Sequence, residues 1–132
     1  MKVMRGTNTC IEVMRGNRGA MGRLSELLPG DCVVLSVVVF ELFVGVEKCV
    51  RPESERLKVQ RLLAPLHVVP FNHAAAVRAG QLRAELERTG NLCGPYDVLI
   101  AAHALALGLA VVTHDTAEFS RVSGLVVVDW IE

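Results

Sequence analysis

Neither sign of charge dominates this chain: 14 basic residues face 14 acidic ones among 132. A protein that coats nucleic acid non-specifically is normally basic, because phosphate neutralisation drives that binding. Such a coat is disfavoured here, whereas an enzyme that grips one phosphate through a metal ion is not. The four cysteines (Cys10, Cys32, Cys49 and Cys93) form no C-x-x-C pair. Scattered among apolar neighbours, they read as small buried hydrophobes in a reducing compartment. His67, His73, His103 and His114 show no H-x-x-x-H or zinc-knuckle spacing, which argues against zinc. Neither G-x-G-x-x-G nor G-x-x-x-x-G-K-[ST] occurs, which disfavours an unrelated α/β protein that cradles a small phosphate compound. Repeats, low-complexity tracts and linkers are also missing.

Long hydrophobic runs are lacking as well. The stretch 32–46 is broken by Ser36 and Glu41, and the stretch 98–113 by His103 and Gly108. A membrane span needs roughly 20 uninterrupted apolar residues. The opening residues Met1–Gly6 hold no apolar run of signal-peptide type. A soluble, cytoplasmic protein without membrane contact is expected.

Apolar residues make up 52% of the sequence, above the usual share for a soluble domain. That excess calls for a core covered on both sides together with an interface. The length suits one domain, residues 1–132. Strand and helix signals alternate along it. A short strand is expected at Lys2–Arg5, then a helix capped by Thr7 or Asn8 and stopped by Gly16. A second helix is expected at Gly19–Leu28, ended by Pro29-Gly30-Asp31. Cys32–Ser36 reads as a buried strand leading into a helix to about Cys49, with Ser36 placed to cap it. Pro52 opens the next helix, to about Ala64. His67–Val69 reads as a strand, and His73–Arg88 as a helix capped by Asn72 and closed by Gly90. Asp97–Leu107 reads as a helix closed by Gly108, and Leu109–Val112 and Leu125–Val128 as strands. This alternation points to an α/β sandwich with a mainly parallel sheet.

Ligands of open α/β sheets bind beyond the carboxyl ends of the strands, and the chain places acids there. Glu41 lies one turn into the helix after the strand at Cys32, inside the apolar segment Val37–Val44. A carboxylate in such surroundings needs a partner or a metal; a solvent-facing stripe or pairing with Lys48 is the alternative. Asp97 opens a helix, where the helix dipole alone would favour an acid. Asp115 follows the strand at Leu109–Val112 and could equally be a loop or capping residue. If the three converge, they need a hard divalent cation to offset their repulsion. Oxygen-only ligands suit Mg²⁺ or Mn²⁺, ions that serve phosphodiester cleavage.

Five stretches in order resemble the VapC toxins, PIN-domain endoribonucleases. Gly6-Thr7-Asn8 resembles their D-T-N opening, and Ser36 through Glu41-Leu42 to Gly45 their S-x-x-x-x-E-L-x-x-G motif. Leu63 through Phe71 and the following helix resemble their middle section. Gly94-Pro95-Tyr96-Asp97 through Ala104 resembles G-x-x-D-x-x-I-A-A-x-A, and Thr113-His114-Asp115 through Glu118-Phe119 to Leu125 resembles their ending, with Trp130 as a closing aromatic. The resemblance implies a three-layer α/β/α PIN fold. It implies a Mg²⁺-dependent ribonuclease acting as the toxin of a toxin–antitoxin pair, with Glu41, Asp97 and Asp115 around the metal as catalytic residues. Thr113 would support the pocket and Asn8 would orient the ligands. It further implies a VapB-like antitoxin partner, structured or translation-related RNA as substrate, a homodimer, and DNA contact only through the antitoxin.

The chain departs from the pattern at one place. Gly6 stands where the first metal-binding acid belongs, preceded by Arg5 in a slot that is normally apolar. Glu12 lies well over a helical turn from the strand end and does not replace it. Poor Mg²⁺ binding and slow cleavage are therefore expected. The alternative is a non-catalytic PIN-fold protein that binds antitoxin and RNA.

Overall fold

In a computed structural model of the chain, residues 3–25 and 32–129 are described. The expected strand residue Lys2, the end of the second helix with its Pro29-Gly30-Asp31 stop, and Trp130 lie outside them. So do the side chains of Arg5, Thr7, Asn8 and Glu12, whose backbone alone is described.

Five short strands form one parallel sheet: β1 (Val3–Arg5), β2 (Cys32–Leu35), β3 (His67–Val69), β4 (Ala110–Val112) and β5 (Val127–Val128), in the order β3-β2-β1-β4-β5. Every residue of β2 and β4 is buried, as apolar strands covered on both faces should be. The edge strands β3 and β5 are more open. Helices α1 (Thr7–Met14) and α2 (Arg18–Ser25) join β1 to β2, and α3 (Ser36–Lys48) and α4 (Pro52–Leu63) join β2 to β3. The return to β4 runs through α5 (His73–Thr89) and α6 (Pro95–Leu107), and α7 (Thr116–Phe119) precedes β5. The chain steps one way from β1 to β3 and the other way from β3 to β5. Right-handed crossovers then put α1–α4 over one face and α5–α7 over the other, and the packing of α1 on α3 and α4, and of α5 on α6, agrees. The expected three-layer α/β/α sandwich is what forms.

Local chemistry sets most element ends where the sequence placed them. Asn72 Oδ1 accepts the Ala75 N–H at 3.0 Å, capping α5. Gly90 and Gly108 close α5 and α6 with φ of 72° and 69°, a conformation glycine adopts without steric cost. Pro95 starts α6 two residues before the expected Asp97, because a proline at the first helical position loses no hydrogen bond. Two expectations fail. Helix α1 begins at Thr7 with Gly6 as its N-cap, so Thr7 and Asn8 lie inside it. Ser36 does not cap α3, because its Oγ accepts the Phe71 N–H at 2.9 Å and so ties the end of β3 to β2. The short helix α7 was not foreseen.

The core is apolar, with Leu35, Leu82 and Ile100 among its largest fully buried side chains. None of the four cysteines is in a disulfide, and Cys10, Cys32 and Cys93 are buried, as their apolar settings suggested. His103 is also buried, edge-on to Phe71 with centroids 5.4 Å apart. Neither ring nitrogen finds a hydrogen-bond partner, and burial pushes its pKa down, so it packs as a neutral ring. No helix among the described residues is long and apolar enough to cross a membrane.

Replacing the α5 cap, Asn72→Ala, should lower unfolding free energy by about 1 kcal/mol. A shift of the urea midpoint at constant slope would register it, and Asn72→Ser should restore most of the loss.

Candidate active site

The order of strands reverses at the β1/β4 boundary, and there the two connections leave on opposite faces. A crevice opens beyond the strand ends at such a point. At its floor the Gly6 N–H donates to the Val112 carbonyl at 2.8 Å, extending the pairing of β1 with β4. A cavity of about 200 Å³ sits above this junction, lined by Gly6, Glu41, Asp97, Thr113 and Asp115, with Ile11, Ile100 and Phe119 as its apolar wall.

Three acids meet here. One carboxylate oxygen from each of Asp97, Asp115 and Glu118 lies within 4.8 Å of the others. Asp97 arrives on the first turn of α6, where the helix dipole favours an anion. Asp115 follows β4 by way of Thr113, whose buried Oγ1 accepts the Asp115 N–H at 3.0 Å. Glu118 is carried by α7 and accepts the Gly94 N–H on Oε1 at 2.5 Å. The loop before α6 and the helix after β4 are thus fastened together through an acid of the cluster itself.

The electrostatics record the crowding. Burial, the charge and hydrogen bond of Glu118, and the charges of Glu41 and Asp115 push the Asp97 carboxyl up to about 7. Asp115 is also raised, first by burial and then by its hydrogen bond to Glu118. Glu118 is lowered, chiefly by the Gly94 N–H. Glu118 is therefore the ionised member, and Asp97 holds the proton that keeps the metal-free cluster together. Cys93 beside it is raised by burial and by Glu118, so its thiol stays protonated.

The expected trio Glu41, Asp97 and Asp115 is met in part. Asp97 and Asp115 converge; Glu41, reaching in from α3, lines the same cavity and its charge is felt by Asp97, but the third member of the tight cluster is Glu118. Sequence reasoning missed Glu118 as a site residue. Its signal was the three-residue spacing from Asp115, which places both on one face only once α7 is recognised as a helical turn. Thr113 holds the supporting position expected of it. The Asn8 side chain lies outside the described residues.

Gly6 is buried, with extended backbone (φ −75°, ψ 169°) that any residue can adopt. A Cβ there would stand 3.1 Å from the Val112 carbonyl oxygen and 3.4 Å from Thr113 Cβ. An acid fits this corner only if its neighbours give way by a few tenths of an ångström.

The three carboxylates form an all-oxygen donor set of the kind hard divalent cations take, so the residues present fit such an ion. Without it, the cluster should make stability depend on pH. The native Asp97 carboxyl keeps its proton to about 7, against an ordinary value of 3.8. Its contribution is therefore full below that ordinary value and is lost as pH rises through 7. In EDTA, thermal melts should fall in midpoint across this window. The fall should flatten in Asp97→Asn. The lowering of Glu118 acts at more acidic pH, while the raised Asp115 shifts stability in the same direction as Asp97.

The chain resembles known proteins along nearly its whole length. The PIN domain model matches residues 7–125. A "tRNA(fMet)-specific endonuclease VapC" of Shigella flexneri is 38% identical over 130 residues, covering 98% of each chain. "Ribonuclease VapC2" of Rickettsia felis is 32% identical over 132 residues, again covering 98% of each. Among solved structures, the DNA-bound VapBC of Salmonella typhimurium superposes with a TM-score of 0.93 at 37% identity, covering 98% of both chains. By fold, by order of motifs and by these relatives, the chain belongs to the PIN-domain family and, within it, to the VapC proteins.

Proposed function

We propose that this chain is the toxin of a VapBC-type pair, a ribonuclease whose acid pocket lacks the carboxylate normally found at position 6. The observation that carries the reading is the carboxylate cluster at the β1/β4 switch point of a PIN fold. Asp97, Asp115 and Glu118 would hold the divalent ion, Mg²⁺ with Mn²⁺ as substitute, and Glu41 adds negative charge from the α3 side. When bound, such an ion supplies Lewis acidity toward a phosphate oxygen and lowers the pKa of water. The Thr113 hydroxyl fixes the backbone of Asp115 and the Gly94 N–H holds the Glu118 carboxylate, so the backbone of one acid and the carboxylate of another are set before substrate arrives. The apolar wall of Ile11, Ile100 and Phe119 limits water around them. Hydrolysis adds water across the phosphodiester and leaves a 5′-phosphate and a 3′-hydroxyl.

Partners follow from two surfaces. A groove of about 460 Å³ shares Ile11 and Glu41 with the acid pocket and runs between α1, α3 and α4 over Met14, Leu42, Val46 and Val59, with Lys58 at its border. It suits an amphipathic antitoxin helix that ends with a basic side chain in the acid pocket. DNA contact would then come through the antitoxin. On another face Phe40 and Tyr96, each 47% exposed, touch at 5.1 Å between centroids. Together with Phe43, Val44 and Leu99 they border two shallow apolar clefts, the surface we assign to a homodimer.

The decisive test is cleavage of an RNA stem-loop with Mg²⁺ and with EDTA, for this chain and for Gly6→Asp. This chain should cut slowly. Gly6→Asp should raise Mg²⁺-dependent cleavage by orders of magnitude, while lowering stability slightly through the tight contact with Val112. Full-rate cleavage by the unaltered chain would remove position 6 from the required ligands. If neither protein cuts, the non-catalytic antitoxin-binding reading stands in its place; Gly6 is the residue that favours it.

Glu118→Gln in the Gly6→Asp background should abolish cleavage and weaken Mg²⁺ binding by calorimetry. Glu47→Gln, at the exposed end of α3, should change neither.

A further inference from the structure

We infer that Arg121 binds substrate: its guanidinium grips a backbone phosphate of the RNA strand beside the one seated over Asp97, Asp115 and Glu118. The inference rests on the ribonuclease reading and adds to it a residue that holds the strand outside the acid cluster.

Asp115, Glu118 and Arg121 recur at three-residue spacing along α7 and its continuation. The turn is kept by the Ser120 N–H on the Thr116 carbonyl (2.9 Å), the Arg121 N–H on the Glu118 carbonyl (3.3 Å) and the Val122 N–H on the Phe119 carbonyl (3.1 Å). Residues three apart on such a turn share a side. Arg121 therefore follows the two acids along one flank, while Phe119 and Val122 are buried in the core. The Arg121 side chain is exposed yet anchored, because its Nη1 donates to the Leu92 carbonyl at 2.9 Å. Leu92 and Gly94 belong to one short loop, and Gly94 in turn holds Glu118. The guanidinium and the acid cluster are thus fixed to the same segment.

A cation in this place could serve only to offset the acids, and its charge does favour ionised Asp115 and Glu118. A guanidinium devoted to that task would close on a carboxylate as a bidentate fork. Yet none of the ion pairs among the described residues includes Arg121. Bound to a neutral carbonyl, it keeps its full charge and most of its five N–H donors for an anion from outside. Among the described residues, the lining of the acid cavity includes Glu41, Asp97 and Asp115 but no lysine or arginine. A phosphate chain brought to such a pocket is repelled unless cations flank its path.

The test is fluorescence anisotropy with a fluorescein-labelled RNA stem-loop in Mg²⁺ buffer across a series of salt concentrations, read while a gel shows the RNA intact. Arg121→Gln should weaken binding about tenfold and reduce the slope of log K against log salt by about one ion's worth. Arg121→Lys should keep most of the slope. A merely structural role would lower the melting temperature of Arg121→Gln and leave the slope unchanged, and that result would overturn the inference. Equal affinity and slope in all three proteins would do the same while sparing the ribonuclease reading. Absence of salt-dependent RNA binding by the unaltered chain would remove both.

Discussion

Like charge at short range is the constraint around which this molecule is organised. Three carboxylates within 4.8 Å of one another oppose folding unless something offsets them. The offsets are spread over several elements. The first turn of α6 presents its dipole to Asp97, the Gly94 N–H satisfies Glu118, the Thr113 hydroxyl fixes the backbone of Asp115, and Arg121 supplies nearby positive charge. They do not suffice, because Asp97 still holds a proton to about 7. That residual imbalance is what a divalent cation would relieve, and it explains why the scaffold tolerates such a cluster at the meeting of two strand ends. Parallel pairing of β1 with β4 brings the strand ends together, and the reversal of crossover direction opens the space above them.

Much of this was legible in the sequence because it is written in local chemistry. β3 falls on His67–Val69 as read, and Asn72 and Gly90 bracket α5 as a capping side chain and a left-handed glycine should. Asp97 and Asp115 were picked out by their places at strand ends and by the motifs around them, since a helix-dipole or capping role could account for each alone. What escaped depended on tertiary partners. Ser36 looks like a helix cap, but it is the first residue inside α3, and the Phe71 N–H beyond the neighbouring strand takes its hydroxyl. Glu118 sits on a helix of four residues, too short for periodicity to reveal. Its spacing from Asp115 therefore carried no geometric meaning until the turn was seen. Glu41 stood out because it interrupts an apolar run. In the structure α3 buries Val38, Leu42 and Val46 of that run on one face, while Glu41 lines the cavity.

The acid pocket and the apolar groove share Ile11 and Glu41. Anything seated in the groove approaches the carboxylates from the α1/α3 side, whereas α7 and Arg121 border them from the other. The pocket is therefore reached from two directions with different chemistry, one apolar with mixed charge at its rim and one carrying an anchored guanidinium. A protein helix suits the first and a phosphate chain the second.

Gly6 has a consequence at the level of the gene. Its backbone is extended and acceptable to any residue, and the acids, the Thr113 support and the Gly94 tether are all in place around it. Among the described residues, a side chain at position 6 needs only a few tenths of an ångström of movement by Val112 and Thr113. Every glycine codon is a single transition from a codon for aspartate or glutamate. On the ribonuclease reading proposed above, this chain stands one base substitution from a carboxylate at the strand end, and in a growing population that substitution recurs continually.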